Sequence, residues 1–209
     1  LTMTSGLNYE IYNDILKPAR ENKTDTLMAI KSMSQYILEF EPGERWEYSL
    51  CHDVLGALVE VVSGVRFGDY VDKTIFRPLG MEHSSFHAGS DTSDMAKHYR
   101  FNDVTKKPHE IELVNPFIFG EEYDGGGGGM VSTVEDYMRF ADMLANGGVG
   151  ENGTRILSAA TVSLMGQSGL TPAQAASFTW EGMEGRNYGF GVSVHTERGV
   201  SGSLAPVGE

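Results

Sequence analysis

The sequence predicts an α+β fold that is mainly helical and contains only a few strands. Apolar residues recur at helical spacing through most of the chain, whereas the alternation typical of strands is sparse before the C-terminal part. With 209 residues, of which 40% are apolar and 10% aromatic, the chain is long enough to bury one sizeable core. We therefore expect residues 1–209 to belong to a single domain, and we find no internal repeat.

Six segments are predicted to be helical from the spacing of their apolar side chains. They are residues 9–19, 24–37, 53–62, 66–76, 134–145 and 158–165. Short strands are expected around Tyr99 and Phe101, over residues 111–114 and over residues 188–195. Gly64 is expected to end the third helix in a left-handed conformation, and Pro78 to stop the fourth.

The most informative stretch covers residues 40–56 and reads FEPGERWEYSLCHDVLG. Pro42 and Gly43 give a turn signal, because proline presets φ and glycine accepts positive φ. The helical pattern begins after Tyr48, and Asp53 is an acid in its first turn, where the helix dipole favours negative charge. Tyr48 is therefore predicted to lie at the start of a helix.

A tyrosine in this place has two possible roles. Its ring can pack while its hydroxyl meets water, which is the commoner role of an arbitrary tyrosine. It can instead act as a general base near neutrality, but an ordinary phenol titrates at about pH 10, so nearby positive charge must stabilise the phenolate. The catalytic interpretation therefore requires a lysine from elsewhere in the protein.

The surroundings of Tyr48 resemble the second active-site motif of the serine β-lactamase and penicillin-binding-protein-like hydrolases. In that family, the serine of a Ser-x-x-Lys turn is acylated, a Tyr-x-Asn motif moves the proton, and a Lys/His-Thr/Ser-Gly strand lines the oxyanion side. Leu50 stands where the asparagine usually stands. Because leucine cannot offer an amide hydrogen bond, the resemblance implies the esterase branch and argues against efficient β-lactamase activity.

Further segments resemble the same family in the same order. They are residues 1–7 (LTMTSGL, with Met3 in place of a histidine), 75–81 (IFRPLGM), 126–133 (GGGGMVST) and 188–191 (YGFG). The resemblance implies a β-lactamase/transpeptidase-like fold, of which this chain would hold mainly the helical part. No serine is followed three residues later by lysine, and His195-Thr196 is followed by Glu197 instead of glycine. We therefore expect an incomplete domain, the middle of a longer hydrolase, that lacks both ends of the sheet.

The resemblance also implies the site residues. Tyr48 is the expected catalytic residue, and an upstream serine and lysine are expected to complete the machinery. The expected substrate-binding residues are Leu50, Tyr123, Asp124, Gly127 and Gly128. The glycine run 125–129 would let the backbone pass close to the site mouth. As a phosphate-binding loop it lacks the Gly-Lys-Ser/Thr ending, so a nucleotide site is disfavoured, and no cofactor is expected.

Two alternatives remain open. His83 and His87, with His52, offer ligands for a zinc hydrolase, but no His-Glu-x-x-His pattern is present, and we expect no metal.

The parent protein can also be a non-catalytic relative that binds peptidoglycan or peptides through the same cleft. A Ser-x-x-Lys upstream would favour the enzyme, and its loss would favour the binding module.

Composition limits the partners. The formal net charge of −13 disfavours nucleic acid, whose phosphates would repel the chain. The apolar runs are too short to cross a bilayer, and we find no leader-like segment.

Cys51 is the single cysteine, which excludes an internal disulfide and favours a cytoplasmic over a periplasmic or secreted location. We expect a small-molecule ester or amide as the partner, and the oligomeric state stays open.

Overall fold

A computed structural model of the chain confirms the mainly helical α+β class. It describes residues 1–10, 14–15, 17–18, 21, 24–87, 93–111, 121–180, 182–200, 202 and 204–208. Within these residues, the strands form two separate two-stranded antiparallel sheets. In the predicted helix over residues 9–19, residues 14–15 and 17–18 are helical and residues 9–10 are not, and the other residues lie outside the described part of the chain.

The elements are named here in chain order. The α-helices are α1 (Thr26–Ser32), α2 (Cys51–Ser63), α3 (Phe67–Val71), α4 (Arg77–Leu79), α5 (Val134–Ala145), α6 (Ala159–Met165) and α7 (Pro172–Ala175). A 3-10 turn at Met33–Gln35 follows α1, and a π-helical turn at Asp72–Phe76 joins α3 to α4. The strands are β1 (His98–Asn102), β2 (Lys107–Ile111), β3 (Arg186–Tyr188) and β4 (Ser193–His195).

The ends of the longer helices follow local sequence signals. Helix α2 ends at Gly64, which has a φ of 70°, as predicted. Helix α5 has the predicted bounds because Thr133 caps its N-terminus, its side chain accepting a hydrogen bond from the backbone N–H of Asp136. Helix α6 begins after Ser158, whose hydroxyl accepts from the amide of Thr161.

Two sequence predictions need correction. The helical path does not stop before Pro78, because this proline lies in the first turn of α4, where its missing N–H is not needed; Gly80, with a φ of 70°, ends the helix instead. Residues 188–195 are not one strand. They form a hairpin in which the amide of Gly189 donates to the carbonyl of Val192 and Gly191 adopts a φ of 80°.

The other hairpin, β1–β2, is solvent-exposed along most of its length. It confirms the strand predicted around Tyr99 and Phe101, which pair with Glu110 and Pro108. Pro108 is tolerated because a two-stranded ribbon has free edges. Residues 112–114, predicted as strand, lie outside the described residues.

The core consists of three clusters of buried apolar side chains. The first comprises Ile15, Ala29, Met33, Leu50 and Tyr123; the second Met3, Trp46, Cys51, Leu170 and Tyr188; the third Val71, Phe76, Leu79, Met81 and Met143. The start of α2 joins the first two clusters, because Leu50 enters one and Cys51 enters the other. Burial on both sides therefore fixes the segment that carries Tyr48.

The glycine segment 125–129 packs directly against the first turn of α2. A Cβ atom at Gly126 would lie 2.1 Å from the carbonyl oxygen of His52, and one at Gly127 would lie 2.6 Å from a carboxylate oxygen of Asp53. Neither distance is compatible with a side chain, so glycine is required here for close backbone approach and not for a positive φ.

We predict that Gly126→Ala lowers the free energy of unfolding by about 3 kcal/mol, because the new methyl group must displace the backbone of α2. Gly153→Ala is the matched control, since Gly153 has open space around it and only a positive φ of 82°, for which we expect a loss of about 1 kcal/mol. Urea denaturation measures both. Equal losses would show that the glycine segment shifts freely.

Candidate active site around Tyr48

Tyr48 lies immediately before α2, in a segment without regular secondary structure. Two backbone amides of this segment donate hydrogen bonds: Trp46 to the Ser177 hydroxyl over 2.8 Å, and Glu47 to the Met3 carbonyl over 2.9 Å. The Tyr48 ring is half-buried and packs against Trp180, with ring centroids 4.8 Å apart. The structure therefore places Tyr48 at the start of a helix, as the sequence predicts.

A second tyrosine lies beside this segment. Tyr188 of β3 is buried against Trp46, with ring centroids 5.8 Å apart. Burial is the main cause that raises the pKa of Tyr188 to about 12, and the neighbouring Tyr48 and Cys51 raise it further by smaller amounts. Its hydroxyl is therefore protonated at neutral pH and is a potential hydrogen-bond donor near Tyr48. The sequence predicts Tyr188 only as part of a strand, although the YGFG segment is a usable signal for a site residue.

A small buried polar cluster supports the start of α2. The Cys51 sulfur lies 3.0 Å from the Ser5 hydroxyl and 3.1 Å from the Ser49 hydroxyl. The Ser49 hydroxyl also reaches the sulfur of Met3 at 3.8 Å, and Met3 itself has a left-handed φ of 57°. These contacts attach the first residues of the chain to α2, so Cys51 acts here as a buried structural thiol.

Asp53, in the first turn of α2, connects the helix to the glycine segment. Its side chain is buried, with 5% of the residue exposed, and accepts a hydrogen bond from the Tyr123 hydroxyl over 3.0 Å. The amides of Gly127 and Gly126 also donate to it. Burial raises the pKa of Asp53, and these hydrogen bonds oppose the rise by stabilising the carboxylate. The carboxylate thus serves as a shared acceptor for three donors.

His52 lies between the glycine segment and the β3–β4 hairpin. Its carbonyl oxygen faces Gly126, and its Nε2 lies 3.5 Å from the place that a Cβ would occupy at Gly191. Burial lowers the pKa of this half-buried imidazole, which is therefore neutral at pH 7. The sequence suggests His52 only as a metal ligand, whereas its position beside the glycine segment and the β3–β4 hairpin makes it a candidate for lining the active site.

Asp124 is the most heavily bonded carboxylate of this region. It is 1% exposed and accepts from Arg66 Nη2 at 3.0 Å, His87 Nε2 at 2.8 Å and the Gly68 amide at 2.8 Å. Its own amide donates to the Thr26 hydroxyl over 2.7 Å. Asp124 therefore joins α1, the start of α3 and the glycine segment.

The predicted substrate-binding residues divide into two groups. The first group is buried: Leu50, Tyr123 and Asp124 are each 1% exposed and contact other protein groups. These residues are therefore placed to support the wall of the site from behind. Gly127 and Gly128 line an apolar cavity of about 380 Å³ and are accessible from outside. Direct contact between substrate and any of these residues stays a prediction.

No buried lysine that could activate Tyr48 is present in the described part of the chain. Every lysine in the described part of the chain is solvent-exposed, so none is placed to stabilise a phenolate from within the protein interior. The described residues also contain no cluster of three or more histidine, cysteine, aspartate or glutamate side chains able to hold a metal. Of the histidines named in the zinc alternative, His87 bonds through its imidazole to Asp124.

No helix within the described residues is long and apolar enough to span a membrane.

We predict that Asp124→Ala lowers the free energy of unfolding by about 2 to 3 kcal/mol, because it leaves the Gly68 amide, the Arg66 guanidinium and the His87 imidazole without this acceptor. Asp72→Ala is the control. Asp72 also pairs with an arginine, but its partner Arg77 is 79% exposed, and we expect a loss below about 1 kcal/mol. Urea denaturation distinguishes the two, and equal losses would refute the anchoring role of Asp124.

We also predict a pH-dependent effect of Tyr188. Between about pH 10 and the native pKa of about 12, the unfolded chain releases the phenol proton and the native protein keeps it, so stability falls as pH rises. Tyr188→Phe removes this contribution. The difference between wild type and variant in unfolding free energy should change by about 1 kcal/mol from pH ~9 to pH ~11. A difference that is independent of pH would contradict the raised pKa.

Comparison with known proteins agrees with the sequence motifs. The β-lactamase family profile matches residues 1–206. Protein Rv1367c of Mycobacterium tuberculosis is 32% identical over 218 residues, which cover 98% of this chain and 52% of that protein. Lovastatin esterase of Penicillium rubens is 28% identical over 197 residues, which cover 85% of this chain and 45% of the esterase.

Among solved structures, EstCE1, a hydrolase with promiscuous acyltransferase activity, superposes with a TM-score of 0.77 at 25% identity, covering 100% of this chain and 58% of its own. The chain spans about half the length of the curated relatives it matches. These relatives include serine hydrolases named as esterases, and the β-lactamase/transpeptidase-like fold is confirmed. The chain belongs to the β-lactamase family.

Proposed function

We propose that this chain supplies the catalytic tyrosine, Tyr48, to a serine hydrolase that forms an acyl-enzyme and acts on carboxylic esters. The observation that carries the proposal is the placement of Tyr48. Its half-buried ring lies immediately before α2 and near a protonated Tyr188, and Asp53 in the first turn of the same helix bonds to the glycine segment. The positive end of the helix dipole favours negative charge there.

The proposed reaction proceeds through two acyl transfers. Tyr48, as phenolate, takes the proton of a serine hydroxyl while the serine oxygen attacks the ester carbonyl. Collapse of the tetrahedral intermediate breaks the bond to the alcohol, which leaves with the proton from Tyr48. Water then attacks the acyl-serine by the same route and releases the carboxylic acid. The serine and the lysine lie, in this proposal, outside the 209 residues, since these contain no Ser-x-x-Lys sequence.

The choice of esters over β-lactams rests on Leu50. Its side chain is buried with Ala29, Met33 and Tyr123, so an asparagine amide in its place would be desolvated within an apolar cluster. The site therefore has no amide to offer a β-lactam side chain from this position. The esterase named among the relatives supports the same branch. D-amino acid peptides are the next substrate class to test, since they also form acyl-serine intermediates.

We further propose that residues 1–209 alone form no acyl-enzyme, because a tyrosine base without a serine nucleophile and a lysine has nothing to activate. To test this, turnover of p-nitrophenyl acetate and nitrocefin is compared between the full protein that carries this chain and the 209-residue chain alone. This comparison also tests the non-catalytic alternative, in which the cleft only binds peptidoglycan or peptides. Absence of turnover in both would support the binding module.

We predict that Tyr48→Phe in the full protein lowers kcat for p-nitrophenyl acetate by about a hundredfold or more, because the general base is lost while the ring packing is kept. The matched control is Tyr99→Phe, since the Tyr99 side chain is exposed on the β1–β2 hairpin. Circular dichroism and urea denaturation establish that both variants fold. Full activity of Tyr48→Phe would refute the assignment.

A further inference from the structure

An apolar cavity of about 380 Å³ lies behind the glycine segment. Its walls come from α3, the π-helical turn, α5 and the glycine segment itself. The lining residues that carry the argument are Phe67, Phe86, Met81, Met130, Tyr137 and Gly126. A volume of this size falls within the range of small-molecule pockets, which begins at about 300 Å³.

The cavity wall is apolar and firmly packed on its inner side. The rings of Phe67 and Phe86 meet edge to face with centroids 5.2 Å apart, and Phe76 stacks near Phe86 at 6.4 Å. Apart from the Tyr137 hydroxyl, the lining side chains bear no oxygen or nitrogen, so the polar atoms come from the backbone. Such a wall favours hydrocarbon and excludes charged groups.

The outer side of the cavity is accessible and adaptable. Met130 is 36% exposed and Tyr137 is 56% exposed, so both side chains lie at its opening. Methionine is flexible and polarisable, and it can adjust to ligands of different shape. The combination of a rigid aromatic wall and a flexible opening suits an apolar group of variable length.

The cavity also adjoins the helix that begins after Tyr48. A Cβ at Gly56 of α2 would lie 3.3 Å from the Phe67 ring and 3.5 Å from the Cα of Gly126. Gly126 in turn contacts the carbonyl of His52, four residues after Tyr48. The glycine segment therefore forms a thin partition, with α2 on one side and the cavity on the other.

We propose that this cavity binds the hydrocarbon part of the acyl group of the ester substrate, so that the enzyme prefers medium-length acyl chains to acetyl. This inference rests on the proposed function. The glycine segment is the element that permits it, because a backbone without side chains can lie in close contact with an acyl chain.

The first test measures binding without turnover. The 209-residue chain is labelled with ¹³C at its methionine methyl groups and titrated with 1-octanol. Met81 and Met130 line the cavity, whereas Met138 is 50% exposed on α5 and does not line it. We expect saturable shifts of the Met81 and Met130 signals and none of the Met138 signal. An absence of shifts at both lining methionines would overturn the proposal.

The second test measures chain-length preference in the full protein with p-nitrophenyl octanoate and p-nitrophenyl acetate. Met130→Trp narrows the opening and should lower kcat/KM for the octanoate tenfold or more while changing the acetate value less than twofold. Met138→Trp, the same replacement on the exposed face of α5, should change neither. An octanoate-to-acetate ratio that Met130→Trp leaves unaltered would refute the assignment as an acyl site.

Together, the two tests distinguish a failure of the proposed hydrolase function from a failure of the cavity assignment. If 1-octanol shifts the lining methionine signals but no ester is hydrolysed, the proposed function fails, and the acyl assignment falls with it. If esters are hydrolysed with no octanol shift and no change in the ratio, the serine hydrolase stands and only the cavity assignment falls.

Discussion

The buried carboxylate of Asp53 is the contact on which the geometry of the candidate site depends. It fixes the Tyr123 hydroxyl and the amides of Gly126 and Gly127 to the first turn of α2, across some seventy residues of sequence. Burial raises its pKa and so opposes the charged form, but three donors and the helix N-terminus offset part of this cost. Loss of this acceptor would free both the glycine segment and the start of the helix that follows Tyr48.

Asp124 extends the same arrangement outward. Tyr123 and Asp124 are neighbours in sequence, yet the tyrosine hydroxyl bonds to α2 while the aspartate bonds to Arg66, His87 and the Gly68 amide. Two adjacent residues thereby connect the glycine segment to separate parts of the helical layer. Their side chains act as positioning groups, and the accessible wall is left to the glycine backbone and to apolar side chains.

Local sequence signals predicted the parts of the fold that local chemistry determines. Helix α5 has its predicted bounds because a threonine cap and apolar spacing agree, and Gly64 ends α2 because only glycine adopts the left-handed conformation without strain. The turn signal and the apolar spacing that follows it likewise predicted that Tyr48 lies at the start of a helix. The carboxylate contacts were beyond such reasoning, since they join residues far apart in sequence. The sequence also could not predict which core cluster the Leu50 side chain joins, because apolar spacing shows that a residue faces the core but not which neighbours it contacts.

The requirement for a lysine follows from the energies involved. A phenol that titrates near pH 10 needs about 4 kcal/mol of stabilisation before it can act as a base near pH 7. A helix N-terminus supplies about 2 kcal/mol at most in a partly buried site, so the start of α2 meets only a fraction of that requirement. A single positive charge about 4 Å away, at an effective dielectric constant of about 20, supplies about 4 kcal/mol. Because each lysine in the described residues is exposed on the surface, we expect the cation to come from elsewhere in the protein if Tyr48 is the base.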